Sequence, residues 1–371
     1  MNKLLFLSLS LIAASLQAEP PHKIIDGVDY IIDGNTAIAT SPMDESAKSA
    51  QDIIIRQSVE YDGTEYPVSQ FWGYCVAYDG QRIHLPEGIT TIQGESFGAR
   101  IDALPSSIEN IMSGSLREVT LPADLYLPNI RILGPNALNA TGGTTLRLGP
   151  SLKLLGTDAF NTAMTKVEFD CSDGNEPLDL GWNSLNHFPG QELLLPKRNQ
   201  LKISDCVMEY SDNIERILFP NIAKIEYGGA DAYNYLANVI ELNGCFFREC
   251  PNLREIVCLG AEPIEITNTD LIFSYPVSNA TEFRIVDKPE NIILKVPAGS
   301  ETLYRSHPLW GKFKTIYGFE NGDYTAIETI ICEPTESEST YYNLQGIKVA
   351  CPIKGQLYIR DSGRSIEKIV Y

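Results

Sequence analysis

Residues 83–97 read Ile-His-Leu-Pro-Glu-Gly-Ile-Thr-Thr-Ile-Gln-Gly-Glu-Ser-Phe. Residues 101–116 repeat the design as Ile-Asp-Ala-Leu-Pro-Ser-Ser-Ile-Glu-Asn-Ile-Met-Ser-Gly-Ser-Leu. The shared template is an apolar pair, Pro, a turn, Ile-x-x-Ile, then a small residue followed by Phe or Leu. Weaker copies follow at 119–138, 146–160, 167–185, 193–208 and 217–225. The apolar anchors are Leu85, Leu104, Leu121, Leu148, Phe169, Leu195 and Phe219, and by subtraction they lie 19, 17, 27, 21, 26 and 24 residues apart. Such periods fit one coil of a stacked array.

One unit has too few apolar side chains to close a core. Stacking lets Ile83, Leu85, Ile89, Ile92 and Phe97 of one coil pack on their counterparts in the next. The short Ile-x-Leu segment has strand periodicity, and the Pro after it cannot donate to a ladder, so the strand ends there. Ile89-x-x-Ile92 suits a second short extended or turn-like piece on the opposite wall. Helical periodicity is not sustained outside the first residues and a short piece at Ser300–Arg305. The expected fold is a β-rich solenoid with one parallel sheet face and short turns or 3-10 segments.

Working outward, residues 19–80 read as an N-terminal β cap. Val28–Gly34 is a strand entering an Asp-Gly turn, Thr36–Ala39 a return strand, Ile53–Ile55 another strand, and Tyr61–Val68 a hairpin. Residues 81–317 carry the solenoid and its closing cap. There Ser300 is expected to cap a short helix, and Trp310, Phe313 and Ile316 to cover the far end. The acidic stretch 318–340 reads as a linker. Residues 341–371 form a small β tail with turns at Gln345-Gly346 and Asp361–Gly363. The insertion 227–238 and the excursion 261–290 interrupt the pattern.

Met1–Ala18 has a charged start at Asn2-Lys3 and an apolar run over Leu4–Leu16, which reads as a secretory signal peptide. Leu16, two residues before Ala18, departs from the small-residue rule for cleavage. Without residues 1–18 the charge is 28 − 48 = −20, since Lys3 alone is lost from the 29 basic and 48 acidic groups. That balance makes nucleic acid and anionic membrane poor partners. Any membrane contact is expected only through surface attachment, with the periplasm as an alternative destination. The eight cysteines permit disulfides in an exported chain. Cys171, Cys206, Cys250 and Cys258 lie beside apolar repeat positions, however, where a thiol behaves as a small hydrophobe. Neither a metal site nor a cofactor is expected: there is no C-x-x-C pair, and His22, His84, His187 and His307 are scattered.

On a solenoid, the residues pointing out of the parallel sheet line up as a stripe. In Ile83-His84-Leu85 the middle residue points outward. Extending that position through the repeats gives the candidate ligand-binding residues His84, Thr120, Arg147, Glu168, Leu194 and Leu218, with Ala103 between the first two. Two residues upstream, Lys166, Glu192 and Arg216 are expected to pair across successive coils, each pair contributing roughly 0.2–1 kcal/mol. Leu194 beside Leu218 either begins an apolar binding patch or is partly buried by an irregular register. Gly94-Glu95-Ser96-Phe97-Gly98 matches the G-x-S-x-G pattern of serine hydrolases, but Ser96 occupies the slot filled by Ser115, Ala137 and Ala159, and no helix follows. Asp170–Glu176 is oxygen-rich without the spacing of a calcium loop.

The repeats resemble the BspA-like leucine-rich repeats of exported Bacteroidetes proteins. The resemblance rests on Tyr61–Val68, Ile83–Phe97, Phe247–Leu253 and Val296–Phe313, and covers most of residues 24–316. The tail, Tyr342–Val349 with Gly355–Arg360, is similar to C-terminal modules of secreted proteins from the same group, some of which are sorting signals. The resemblance implies a leucine-rich-repeat solenoid at the cell surface, and host-protein binding and adhesion for some members. The chain departs from the pattern at 170–190 and 227–238. The expected function is therefore that of an exported, non-enzymatic surface protein binding an extracellular protein or glycan. The alternatives are a structural spacer without a ligand, and a hydrolase using Ser96.

Overall fold

The computed structural model describes residues 20–42, 52–73, 81–94, 98–160, 164–170, 176–204, 207–227, 247–248, 250–267 and 291–320, together with short strands between 340 and 370. The expected leader 1–18, Ser96, residues 171–175 with Cys171, Cys206, the stretches 228–246 and 268–290, and most of the expected linker 318–340 lie outside the described residues.

Stacked coils form the body, and every coil contributes one rung to a continuous wall. Its strands include Thr64–Trp72, Thr91–Gln93, Asn110–Ile111, Ile132–Leu133, Leu154–Leu155, Leu178–Leu180, Gln200–Ile203, Lys224–Tyr227 and Glu265–Thr267, each parallel to its neighbours. In register, Phe71, Ile92, Ile111, Leu133, Leu155, Leu180 and Ile203 form one inward row. From Ile92 onward each of them is 0% exposed. These are the second isoleucines of the template and their successors. The wall read from sequence as a second short extended or turn-like piece is thus extended, and it is the longest sheet among the described residues, with 13 strands.

The Ile-x-Leu segments make the other side, a parallel face as expected, but one divided along its length. They fall into three separate parallel sheets. A leading sheet holds Asp52–Ile54, Arg82–His84, Arg100–Ile101, Thr120–Leu121 and Thr141–Gly142. A middle sheet holds Asp124–Leu127, Thr145–Leu148 and Lys166–Phe169. A trailing sheet holds Glu192–Leu194, Arg216–Phe219, Glu255–Cys258, Ile293–Pro297 and Thr315–Phe319. The break between the first two has a local cause. Thr120-Leu121-Pro122 and Leu125-Tyr126-Leu127-Pro128 lie in the same coil, and each Pro ends a strand. The first segment pairs backwards onto Arg100 and forwards onto Thr141–Gly142, while the second starts a new sheet beside it. The 27-residue interval from Leu121 to Leu148 hid this, because the true rung runs from Leu127 to Leu148, which is 21 residues.

At the N-terminus, His22–Ile25, Val28–Asp33 and Thr36–Pro42 form an antiparallel meander whose last strand joins the long wall parallel to Thr64–Trp72, so apolar Val28, Tyr30, Ala37 and Ala39 cover its open end. A boundary at residue 80 does not separate this cap from the solenoid. Asp52–Ile54 already pairs with Arg82–His84, and Thr64–Trp72 with Thr91–Gln93, so the first coil begins near residue 52.

At the far end, the helix Glu301–Ser306 and the 3-10 turn Trp310–Lys312 close the stack. Tyr304, Trp310, Phe313 and Ile316 are buried there, with Trp310 edge-on to Phe219 and Tyr304 and stacked on Phe313. Ser300 stands at the N-cap position but makes no side-chain capping bond. Instead the Glu301 carboxylate accepts the Gly299 N–H at 2.7 Å. Cys250 and Cys258 are both buried. The short strands 340–342, 348–349, 357–361 and 366–370 form an antiparallel four-stranded sheet.

Candidate functional site

The six residues expected to form one outward stripe lie in three different sheets. His84 and Thr120 belong to the leading sheet, Arg147 and Glu168 to the middle one, and Leu194 and Leu218 to the trailing one. Even within the leading sheet, Thr120 aligns with Arg100, which aligns with Arg82, so His84 lies in a different row. Only Arg147 with Glu168, and Leu194 with Leu218, are direct neighbours.

On the leading sheet the outward groups pair with one another. His84 Nε2 lies 2.9 Å from Asp52, Arg82 Nε 3.0 Å from Asp102, and Arg100 Nε 2.6 Å from the same carboxylate. The hydrogen bond from Arg100 is the main reason that Asp102 is held below the usual carboxylate range. Exposed pairs of this kind are weak.

The trailing sheet carries a longer charge row, Glu192–Arg216–Glu255–Lys295. Arg216 bonds Glu192 at 2.8 Å and also bonds Glu255, which accepts Lys295 at 2.8 Å. Burial alone would raise the Glu255 carboxyl, but the hydrogen bonds from Lys295 and Arg216 outweigh it and hold it low. The expected Glu192–Arg216 pair is present. The expected Lys166–Glu192 pair is not, because their strands belong to different sheets, and Lys166 meets Glu168 at 2.7 Å. Two residues further along these strands, Leu218 and Val257 are both 0% exposed, with Leu194, Leu259 and Phe319 packed around them. Leu218 is therefore core rather than surface, while Leu194 stays half-buried.

The middle sheet differs from both. Its strands alternate without a break: Leu125, Leu127, Leu146, Leu148, Val167 and Phe169 point inward, and Tyr126, Arg147 and Glu168 form the outward row. Tyr126 is 39% exposed. The Arg147 guanidinium sits over its ring at 4.8 Å, a cation–π geometry, and also reaches Asp170 at 3.4 Å. Beside this row Thr145 donates to Asp124 at 2.5 Å. The arrangement brings a pre-oriented aromatic ring, a guanidinium, three carboxylates and a hydroxyl together on or beside the outer face of this sheet. Anchoring the coil on Leu121 leaves Tyr126 out of the expected outward stripe. The Leu125-x-Leu127-Pro128 spelling, a closer copy of the template, was the available signal.

No cluster of three or more His, Cys, Asp or Glu side chains able to hold a metal occurs among the described residues. Nor is any described helix long and apolar enough to cross a membrane. Two parallel walls of stacked Leu/Ile rungs enclosing an apolar interior define the chain's class, a leucine-rich-repeat solenoid. No known family and no curated protein matches the chain. Solved structures similar to it include a leucine-rich repeat protein from Bacteroides ovatus, at 13% identity and TM-score 0.26, with 81% of this chain and 99% of that one covered. A leucine rich cell surface protein from Faecalibacterium prausnitzii aligns at 12% identity and TM-score 0.25 over 68% of this chain and 96% of its own. The pneumococcal vaccine antigen PcpA aligns at 13% identity and TM-score 0.26, over 81% and 99% of the two chains.

Proposed function

We propose that the chain is an exported cell-surface protein that binds an extracellular protein or glycan through the outer face of its middle sheet, without catalysis. The observation that carries this reading is the Tyr126–Arg147 pair, an exposed ring already held against a guanidinium at 4.8 Å. Tyr and Arg are the residue types that dominate binding hot spots, and side chains ordered before contact lose less entropy on binding. Export rests on the reading of residues 1–18 as a leader. Non-enzymatic action rests on Ser96 filling a structural slot of the repeat, where its counterparts Ser115, Ala137 and Ala159 are wholly buried.

The test is a surface-plasmon screen of the chain against extracellular-matrix proteins and host or dietary glycans, repeated with Arg147→Glu and Tyr126→Ala. A saturable ligand should lose about tenfold or more in affinity in either variant, which corresponds to about 1.4 kcal/mol. Unchanged affinity in both would contradict the reading. The spacer alternative is favoured by the leading sheet, where outward charges satisfy one another. A screen without any ligand would support it.

A further inference from the structure

A second surface feature lies at the turn between walls. His187 and Tyr210 occupy equivalent rungs of successive coils, each two residues after a buried Leu185 or Met208. Both have left-handed backbones, with φ of 49° and 52°. The stack requires the conformation: the His187 N–H donates to the Glu209 carbonyl at 2.8 Å, as the N–H of Glu118, at φ 59°, does to Asn139 at the corresponding turn of an earlier coil. The aromatic side chain is not required, since Glu118 does without one. A bulky residue in this region carries strain that Gly would not. Yet both rings project outward, Tyr210 with 42% exposure, and they stack with centroids 5.5 Å apart and planes 23° apart. At the foot of the pair the Asn186 amide donates to the Asp158 carboxylate at 2.9 Å.

We propose that this ledge, separate from the Tyr126 face, is a docking site for the neutral pyranose rings of a glycan. A sugar ring presents C–H groups on one face, which pack on an aromatic surface, and hydroxyls at its rim, which suit planar amide and carboxylate partners. The ledge is open rather than a desolvated pocket, so it lacks what a peptide anchor needs. The net charge of −19 selects against acidic sugars.

The experiment is calorimetric titration of the full chain with cellotriose, chitotriose and mannotriose, alongside Tyr210→Gly and His187→Gly. At least one sugar should bind saturably and weaken by about tenfold or more in each variant. Because Gly relieves the left-handed strain, both variants should melt at or above the wild-type temperature. Three results would overturn the proposal: no saturable binding by any of the three sugars, binding unchanged in the variants, or variants that melt below wild type. The last would show that the rings are there for packing.

Discussion

Gly134, Gly156 and Gly181 follow the inward leucines Leu133, Leu155 and Leu180 of three successive coils, and none has room for a methyl group. A Cβ at Gly156 would stand 2.5 Å from the Pro135 nitrogen, at Gly134 2.7 Å from that of Ser113, and at Gly181 2.9 Å from that of Thr157. The contacts are with the backbone of the preceding coil, so no side chain can swing aside. Coils stack at strand spacing, about 4.8 Å, and these glycines are where the chain turns inside that limit. Gly156→Ala should therefore destabilise by about 1–3 kcal/mol through overpacking. Urea denaturation followed by circular dichroism checks this, and wild-type stability would show that the coils can part at no cost. These glycines do not stand out in the sequence, because their cause is a backbone neighbour 21 or 24 residues away. Tyr210 carried no signal of a left-handed turn in the sequence, and His187 only a weak one, since His is enriched there but far less diagnostic than Gly or Asn.

At the scale of elements, the closing cap depends on a neutral histidine. His307 follows the helix Glu301–Ser306, and its Nδ1 accepts the N–H groups of Leu309 at 3.2 Å and Trp310 at 3.4 Å. Nδ1 is thereby assigned as the unprotonated nitrogen. Burial lowers the His307 pKa from its ordinary value of 6.5. The unfolded chain then binds the proton more readily than the folded one. The stability from neutral His307 is complete above pH 6.5 and is lost as the pH falls through the lower folded value. Thermal unfolding between pH 7.5 and about 5 should show a loss of stability that His307→Gln reduces, because its amide oxygen accepts at any pH. An identical pH profile in wild type and variant would remove His307 from the account. The cap itself was legible in Trp310, Phe313 and Ile316, as was the hairpin cap at the other end. The sheet break was not. Leu121-Pro122 and Leu127-Pro128 both obey the template, and only pairing partners 20 or more residues away decide which one carries the outward row. The second wall is expected from Ile89-x-x-Ile92, but its extent is not legible, because strands such as Asn110–Ile111 and Ile132–Leu133 are too short to display a period.

The whole molecule behaves as a one-dimensional stack, in which each coil touches its neighbours and little else. Damage should consequently stay local. Trp310→Ala removes a wholly buried ring that packs on Phe219, Tyr304 and Phe313 and donates its indole N–H to the Ile264 carbonyl at 2.9 Å. Hydrogen exchange of this variant should lose protection in 291–319 and the adjoining rungs at 255–258 and 216–219, with 22–72 unchanged. A uniform loss along the chain would mean that the solenoid unfolds as one cooperative unit. The same linear build makes function a matter of which outward row is where, since a shift of one coil exchanges every partner on a face.

The register that sets Tyr126 beside Arg147 is the premise on which the binding face depends. It can be measured by oxidative cross-linking of two double variants, Tyr126→Cys/Arg147→Cys and Thr120→Cys/Arg147→Cys, with disulfides mapped by non-reducing peptide mass spectrometry. Directly paired positions on adjacent strands fall within disulfide reach, about 4.4–6.8 Å between Cα atoms. A link between positions 126 and 147, and none between 120 and 147, is the predicted result. A link from 120 to 147 with none from 126 would restore the single outward stripe through Thr120 and contradict the middle sheet as the binding face.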